Sequence, residues 1–182
     1  MEPVDSPYRR VARGFETILA QVTDDQWSHP TPCVEWDVTQ LANHVVDTHQ
    51  RVYSMVVPAG VPGQIVDAPV TVRFRIASSA MVRALEDSMV ADTLVMTRRG
   101  EQPFSTLVEG LLMYDTLCHT WDLARAIGAD ETLDAEALAI AHAELSAVSD
   151  AIRIPGGFAP ALTSTPDADA QTRFLNFAGR EV

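Results

Sequence analysis

Apolar residues recur at helical spacing along most of this chain. In "YRRVARGFETILAQV", Val11, Phe15, Ile18, Leu19 and Val22 fall on one helical face. Ser6 followed by Pro7 supplies a cap and a first-turn proline. "TDDQ" at 23–26 has the form of a capping box and predicts a short turn of helix through Trp27. "SHPTPC" at 28–33 has to be a loop, because two closely spaced prolines cannot sit inside a helix. Asp37 with Gln40 forms the next cap, opening a helix on which Leu41, Val45, Val52 and Met55 repeat.

Proline and glycine punctuate 58–69, after which "VTVRFR" alternates like a strand. From Ile76 through Ala80, Val82 and Leu85 the spacing is helical, and the whole segment is read as one helix. "TRRGEQP" at 97–103 reads as a turn. A long helix is predicted from about Phe104 to Ile127, stopped by Gly128, and a fifth starts from Asp134 over "DAEALAIAHAELSAVSDAI". The tail "PGGFAPALTSTPDADA" reads as loop and "QTRFLNFAGR" as a last short helix. The expected fold is all-α: four substantial helices in an antiparallel four-helix bundle, with extra short C-terminal helices.

Length and composition narrow this picture. The chain has 182 residues, which suits a single domain over 1–182, and is 47% hydrophobic. Its net charge of −12 argues against nucleic acid, which demands a basic surface. All 13 basic residues are arginine, so Schiff-base lysine chemistry and lysine-bearing phosphate loops are excluded. No apolar run approaches the roughly 20 residues of a membrane span. "MEPVDSPYRR" has no apolar core of the kind a signal peptide needs. Cys33 and Cys118 match no zinc-finger or paired-cysteine spacing, and the expected location is the cytoplasm.

One feature does not belong on an apolar helix. In "LLMYDTLCHTWDLARAIG", Asp115, His119 and Asp122 share one face as a polar stripe. Buried carboxylates and imidazoles must be paired, hydrogen-bonded or metal-bound. Asp115 and His119 can offer an oxygen and a nitrogen to one ion, and His44, between Leu41 and Val45, is a better placed third ligand than His29 or His49. Two histidines and a carboxylate leave coordination positions open, as in reactive sites. Such ligands suit zinc first, then nickel or iron. On spacing alone, a structural Asp115–His119 hydrogen bond explains the stripe equally well. Asp122 is read first as a partner holding the His119 tautomer, and otherwise as a fourth ligand or a solvated residue. Arg51, seven residues after His44, either holds an anionic substrate or pairs with a surface carboxylate. Trp121 and Cys118 read as core. Cys33, just before the Asp37 cap, reads as loop packing first and as a redox-sensitive or metal-approaching thiol second.

"TPCVEWDVTQLANHVV" (31–46) together with "YDTLCHTWDLARAIG" (114–128) resembles the actinobacterial branch of the DinB / mycothiol-dependent maleylpyruvate isomerase-like superfamily, and "GGFAPALTSTPDADAQTRFLNFAGR" is similar to its usual C-terminus. The arginine bias agrees with a GC-rich source. The resemblance implies a four-helix bundle with a divalent metal on three side chains, which fall on His44, Asp115 and His119. Characterised isomerase relatives carry glutamate where this chain has the shorter Asp115. It also implies a metal that activates the thiol of mycothiol or bacillithiol for attack on an electrophile, and frequent homodimers. The isomerases have a further C-terminal domain, for which this sequence leaves little room after residue 150. Thiol chemistry is therefore expected rather than maleylpyruvate isomerisation itself.

The leading expectation is a metal-dependent thiol transferase or isomerase-like enzyme acting on small electrophiles. The alternatives are a non-catalytic metal-containing binding or dimerisation module, with Phe174, Leu175 and Phe177 as a dimer face, a structural bundle without metal, and a metal-dependent hydrolase.

Overall fold

Helices dominate, and their ends follow local chemistry. The computed structural model describes residues 5–98, 100–146, 153 and 159–182. Helix α1 spans Pro7–Leu19, and Ser6 Oγ accepts from Arg9 N–H at 3.3 Å. Helix α2 spans Val38–Tyr53 behind a reciprocal capping box: Asp37 Oδ1 accepts from Gln40 N–H at 2.8 Å, and Gln40 Oε1 accepts from Asp37 N–H at 2.9 Å. Helix α3 is Val70–Glu86, so the ambiguous "VTVRFR" is indeed helical, but the single helix expected to run on through Val95 breaks at Asp87, whose extended backbone ends α3 before the short α4 (Ser88–Ala91). Helix α6 (Met113–Ile127) carries the polar stripe and stops at Gly128, whose φ of 71° is a left-handed conformation that favours glycine.

These elements close around one core. Helix α1 packs along α6 and against α3, while α2 packs against α3 and α6. Phe15, Leu41, Val45, Phe74, Met81, Leu117 and Trp121 fill the space between them. His49 lies in this core rather than at the polar stripe. Its Nδ1 donates to Val45 O at 2.7 Å, and burial lowers its pKa to about 4.

Three further expectations about local structure require correction. Residues 23–26 make one half of a capping box, Thr23 N–H donating to Gln26 Oε1 at 3.0 Å, while Thr23 Oγ1 donates to Asp25 Oδ1 at 2.7 Å and only turns follow. Trp27 O, which a helix would have used, instead accepts from Thr39 N–H and Thr39 Oγ1, both at 3.0 Å. Second, the stretch read as a turn belongs to an antiparallel hairpin, β1 (Leu94–Thr97) with β2 (Gly100–Pro103), in which Val95 opposes Gln102. Third, the long helix from Phe104 is broken. It begins as α5 (Phe104–Leu107), passes through a π-helical turn at Val108–Leu112, and only then becomes α6. Gly110 takes φ −100° and ψ −105°, outside the helical region, while neighbouring Glu109 Oε2 accepts the Tyr8 N–H at 3.0 Å. The π turn thus satisfies a free donor at the start of α1.

Helix α7 (Ala135–Ser146) starts from the expected cap, with Asp134 Oδ1 accepting Ala137 N–H at 2.8 Å. Its expected continuation through Ile152 lies outside the described residues. Helix α8 (Ala170–Phe177) is the expected last helix, capped by Asp169. It packs on α7, and this overturns the proposed dimer face: Phe174 and Leu175 are fully buried within the chain, and Phe177 lies under the Arg153 guanidinium. Among the described residues, no helix is long and apolar enough to cross a membrane. Phe174→Ala is expected to lower unfolding stability by about 3–5 kcal/mol in urea titrations, independently of protein concentration. A loss confined to self-association would show that the residue serves an interface instead.

Candidate metal centre

The stripe on α6 meets two other segments. Spacing of four and then three residues places Asp115, His119 and Asp122 along one side of the helix, facing α2 and the 28–37 loop. His44 points across from α2, with Nε2 3.5 Å from Asp115 Oδ1, and His119 Nε2 is 3.6 Å from the same oxygen. One ligand atom from each of His44, Asp115 and His119 lies within 4.8 Å of the other two. The loop is shaped by Thr31, whose Oγ1 donates to Trp36 O at 2.8 Å, and by Trp36 N–H, which donates to Cys33 O at 2.7 Å. These bonds bring the Trp36 ring against His44 (4.4 Å between centroids) and His119 (5.7 Å).

The spacing of the three groups fits a shared cation better than direct hydrogen bonds. Contacts of 3.5 and 3.6 Å are too long for strong N–H to carboxylate bonds. Donors held about 2.0–2.1 Å from one tetrahedral ion stand roughly 3.3–3.4 Å apart. Asp115 Oδ2 is buried and has no hydrogen-bond partner among the described residues. A buried carboxylate oxygen left without a donor is the vacancy a cation would satisfy. The donor set, two imidazole nitrogens and a carboxylate, therefore suits a divalent metal.

Behind His119 the chemistry differs. Its Nδ1 donates to Asp122 Oδ2 at 2.9 Å, and the Arg180 Nε and Nη2 donate to Asp122 Oδ1 and Oδ2 at 3.1 and 2.8 Å. Cys33 Sγ donates to Asp122 Oδ2 at 3.3 Å and accepts from Arg180 Nη2 at 3.0 Å. Cys33, His119 and Asp122 could also surround an ion. The Arg180 guanidinium already supplies the positive charge there, so this second group fits a metal poorly.

Burial and neighbouring charge act against each other along the array. Burial works to raise the Asp115 pKa, but His119 and His44 hold it well below the usual carboxylate range. Burial works to lower that of His119, but Asp115 and Asp122 raise it well above ordinary imidazole. Asp122 is opposed by its own burial yet drawn down to about 2 by bonds from His119 and Arg180. Burial pushes the Cys118 thiol up to about 12, in keeping with an inert core cysteine.

The expected residues thus separate. His44, Asp115 and His119 converge, with Asp122 directly behind His119, and Cys33 touches Asp122 and Arg180 instead of only filling its loop. Arg51 is exposed near the end of α2, and its Nη2 donates to Thr48 Oγ1 at 3.3 Å, with no bond to the three converging groups. His29 Nδ1 donates to Ala126 O at 3.2 Å. Trp36 and Arg180 were missed by sequence reasoning. Trp36 had a signal in the "TPC-x-x-W" stretch, whereas for Arg180 the sequence offered only its place at the end of "QTRFLNFAGR", within the stretch that resembles the family's usual C-terminus.

Because Asp122 is depressed in the folded chain, its stabilisation is complete above the unfolded carboxyl pKa near ~4 and disappears as pH falls through about 2. Over that window wild type should lose on the order of 2 kcal/mol more stability than Asp122→Asn, read by denaturant unfolding at each pH. Parallel curves for the two proteins would show that Asp122 carries no such linkage.

Comparison with known proteins places this geometry in a family. The chain is 33% identical over 192 aligned positions to an uncharacterized protein of Mycobacterium tuberculosis strain CDC 1551 / Oshkosh, with all of both chains covered. It matches an uncharacterized protein of strain H37Rv with the same identity and coverage. No solved structure matches it. Residues 8–124, which include His44, Asp115, His119 and Asp122 but not Arg180, match the family described as mycothiol maleylpyruvate isomerase N-terminal domain. The chain belongs to that family.

Proposed function

We propose that this chain is a metal-dependent thiol S-transferase or isomerase-like enzyme that uses mycothiol on small electrophiles. It would work as one domain over 1–182 built on a DinB-like four-helix bundle. The observation that carries this reading is the convergence of His44 Nε2, Asp115 Oδ1 and His119 Nε2 beside the unsatisfied Asp115 Oδ2. The family supports the thiol, since its description names mycothiol.

In this reading His44, Asp115 and His119 hold a divalent metal, zinc before nickel or iron. When bound, such a metal supplies the Lewis acidity that makes a coordinated thiol nucleophilic at neutral pH. The protein's own contribution is orientation. Asp122 accepts a hydrogen bond from the Nδ1–H of His119 and so leaves Nε2 as the ligating nitrogen. Trp36 walls the two histidines on the loop side and limits water there. Asp115, shorter than a glutamate, keeps the carboxylate close to α6.

The hydrolase alternative is disfavoured by Asp122. Asp122 offers no carboxylate base to assist a metal-activated water, since both of its oxygens are engaged by His119 and Arg180. The proposed partners are a low-molecular-weight thiol and a small electrophile in the cytoplasm. Any homodimer would use a face other than Phe174 and Leu175.

Zinc-loaded protein is expected to consume a test electrophile in a mycothiol-dependent manner, followed by loss of free thiol. His119→Ala should lower that rate by at least roughly 100-fold, more than loss of an outer partner would. Undiminished turnover in His119→Ala, or turnover that ignores mycothiol, would contradict the proposal.

A further inference from the structure

Arg180 lies well beyond the residues that carry the family match, yet its guanidinium reaches the middle of α6. Its side chain is 10% exposed and faces an Asp122 carboxylate that is fully buried. Nε and Nη2 take one carboxylate oxygen each, at 3.1 and 2.8 Å, and Nη1 donates to Ala178 O at 2.9 Å. Two parallel bonds from a planar guanidinium fix the plane of the carboxylate as well as its position. Oδ2, so fixed, is the oxygen that accepts from His119 Nδ1 at 2.9 Å. The opposite ring nitrogen, Nε2, is then turned toward Asp115.

Tail docking alone does not account for this arrangement. Phe174 and Leu175 are already buried, Arg153 Nη2 donates to Phe177 O at 2.9 Å, and Gln171 bonds Leu133 N–H and Glu131 O at 2.9 Å each. Burying a further guanidinium against a buried carboxylate carries a desolvation cost that apolar packing would avoid. What the ion pair adds is orientation of one imidazole.

We propose that Arg180 is a positioning residue: acting through Asp122, it holds the His119 ring with Nε2 toward Asp115 and His44, which makes the C-terminal segment part of the site. The proposal rests on the reading that these three side chains hold a metal. Its test separates the two ideas, using the full-length chain throughout. In metal-free protein, proton NMR should show a low-field, slowly exchanging Nδ1 proton of His119 that is lost to solvent exchange in Arg180→Ala. Zinc affinity, measured by chelator competition, should fall about 10–100-fold in Arg180→Ala and in Asp122→Asn. The double variant should bind no more weakly than Asp122→Asn alone, because both act on one bond.

Arg180→Lys keeps the charge without the fork and should show an intermediate loss, which covers the case in which Arg180→Ala does not fold. Arg153→Ala, which loosens the tail away from the site, should leave both the proton and zinc affinity unchanged. An Nδ1 proton and zinc affinity at wild-type values in Arg180→Ala or Arg180→Lys would overturn the proposal. Equal losses in Arg153→Ala would overturn it too, reducing Arg180 to a tail anchor. A wild-type protein that shows the proton but binds no zinc would overturn the metal reading, and the proton's fate in Arg180→Ala would still decide whether Arg180 holds His119.

Discussion

A carboxylate placed in the middle of a packed helix has to be answered by positive charge or hydrogen-bond donors, and the structure around α6 is organised by that requirement. Asp122 is fully buried, and three separate segments converge on it: His119 from its own helix, Cys33 from the 28–37 loop and Arg180 from the tail. Asp115, two turns earlier, draws in His44 from α2. Removing any of these partners would leave charge in a low-dielectric interior. The polar stripe thus links parts of the chain that are far apart in sequence.

The same requirement gives the array its division of labour. On the α2 side the groups are spaced too widely for strong mutual hydrogen bonds, and one Asp115 oxygen is left without a donor among the described residues. On the tail side each oxygen of Asp122 is satisfied within ordinary bonding distance. His119 stands between them and uses one ring nitrogen on each side. An incomplete set in front and a saturated set behind is the arrangement expected of a ligand and its support.

Much of this was legible in the sequence where the signal is local. Ser6, Asp37 with Gln40, Asp134 and Gly128 each mark a helix end by side-chain or backbone chemistry that acts within a few residues. The four- and three-residue intervals from Asp115 to Asp122 put those side chains on one face before any partner was known. The β1–β2 hairpin escaped because each strand is four residues long and β1 has only Val95 buried, too little for alternation to register. The π turn escaped because Val108–Leu112 keeps an apolar pattern that suits an unbroken helix, while the contact beside it, Glu109 with Tyr8 N–H, crosses the fold. Phe174 and Leu175 look like a free apolar face until α7 is seen against them. Arg180 closes a stretch that resembles the family's C-terminus, but nothing near it in sequence names its partner, a carboxylate on α6.

The central claim is that His44, Asp115 and His119 form a site for one divalent metal. It is tested most directly by elemental mass spectrometry of protein purified without an affinity tag, alongside His44→Ala and Asp115→Ala. The account predicts close to one metal ion per wild-type chain and loss of that ion in both variants. A wild-type chain that takes up no metal, even after incubation with zinc, nickel or iron, would contradict it and leave the array a hydrogen-bonded structural network.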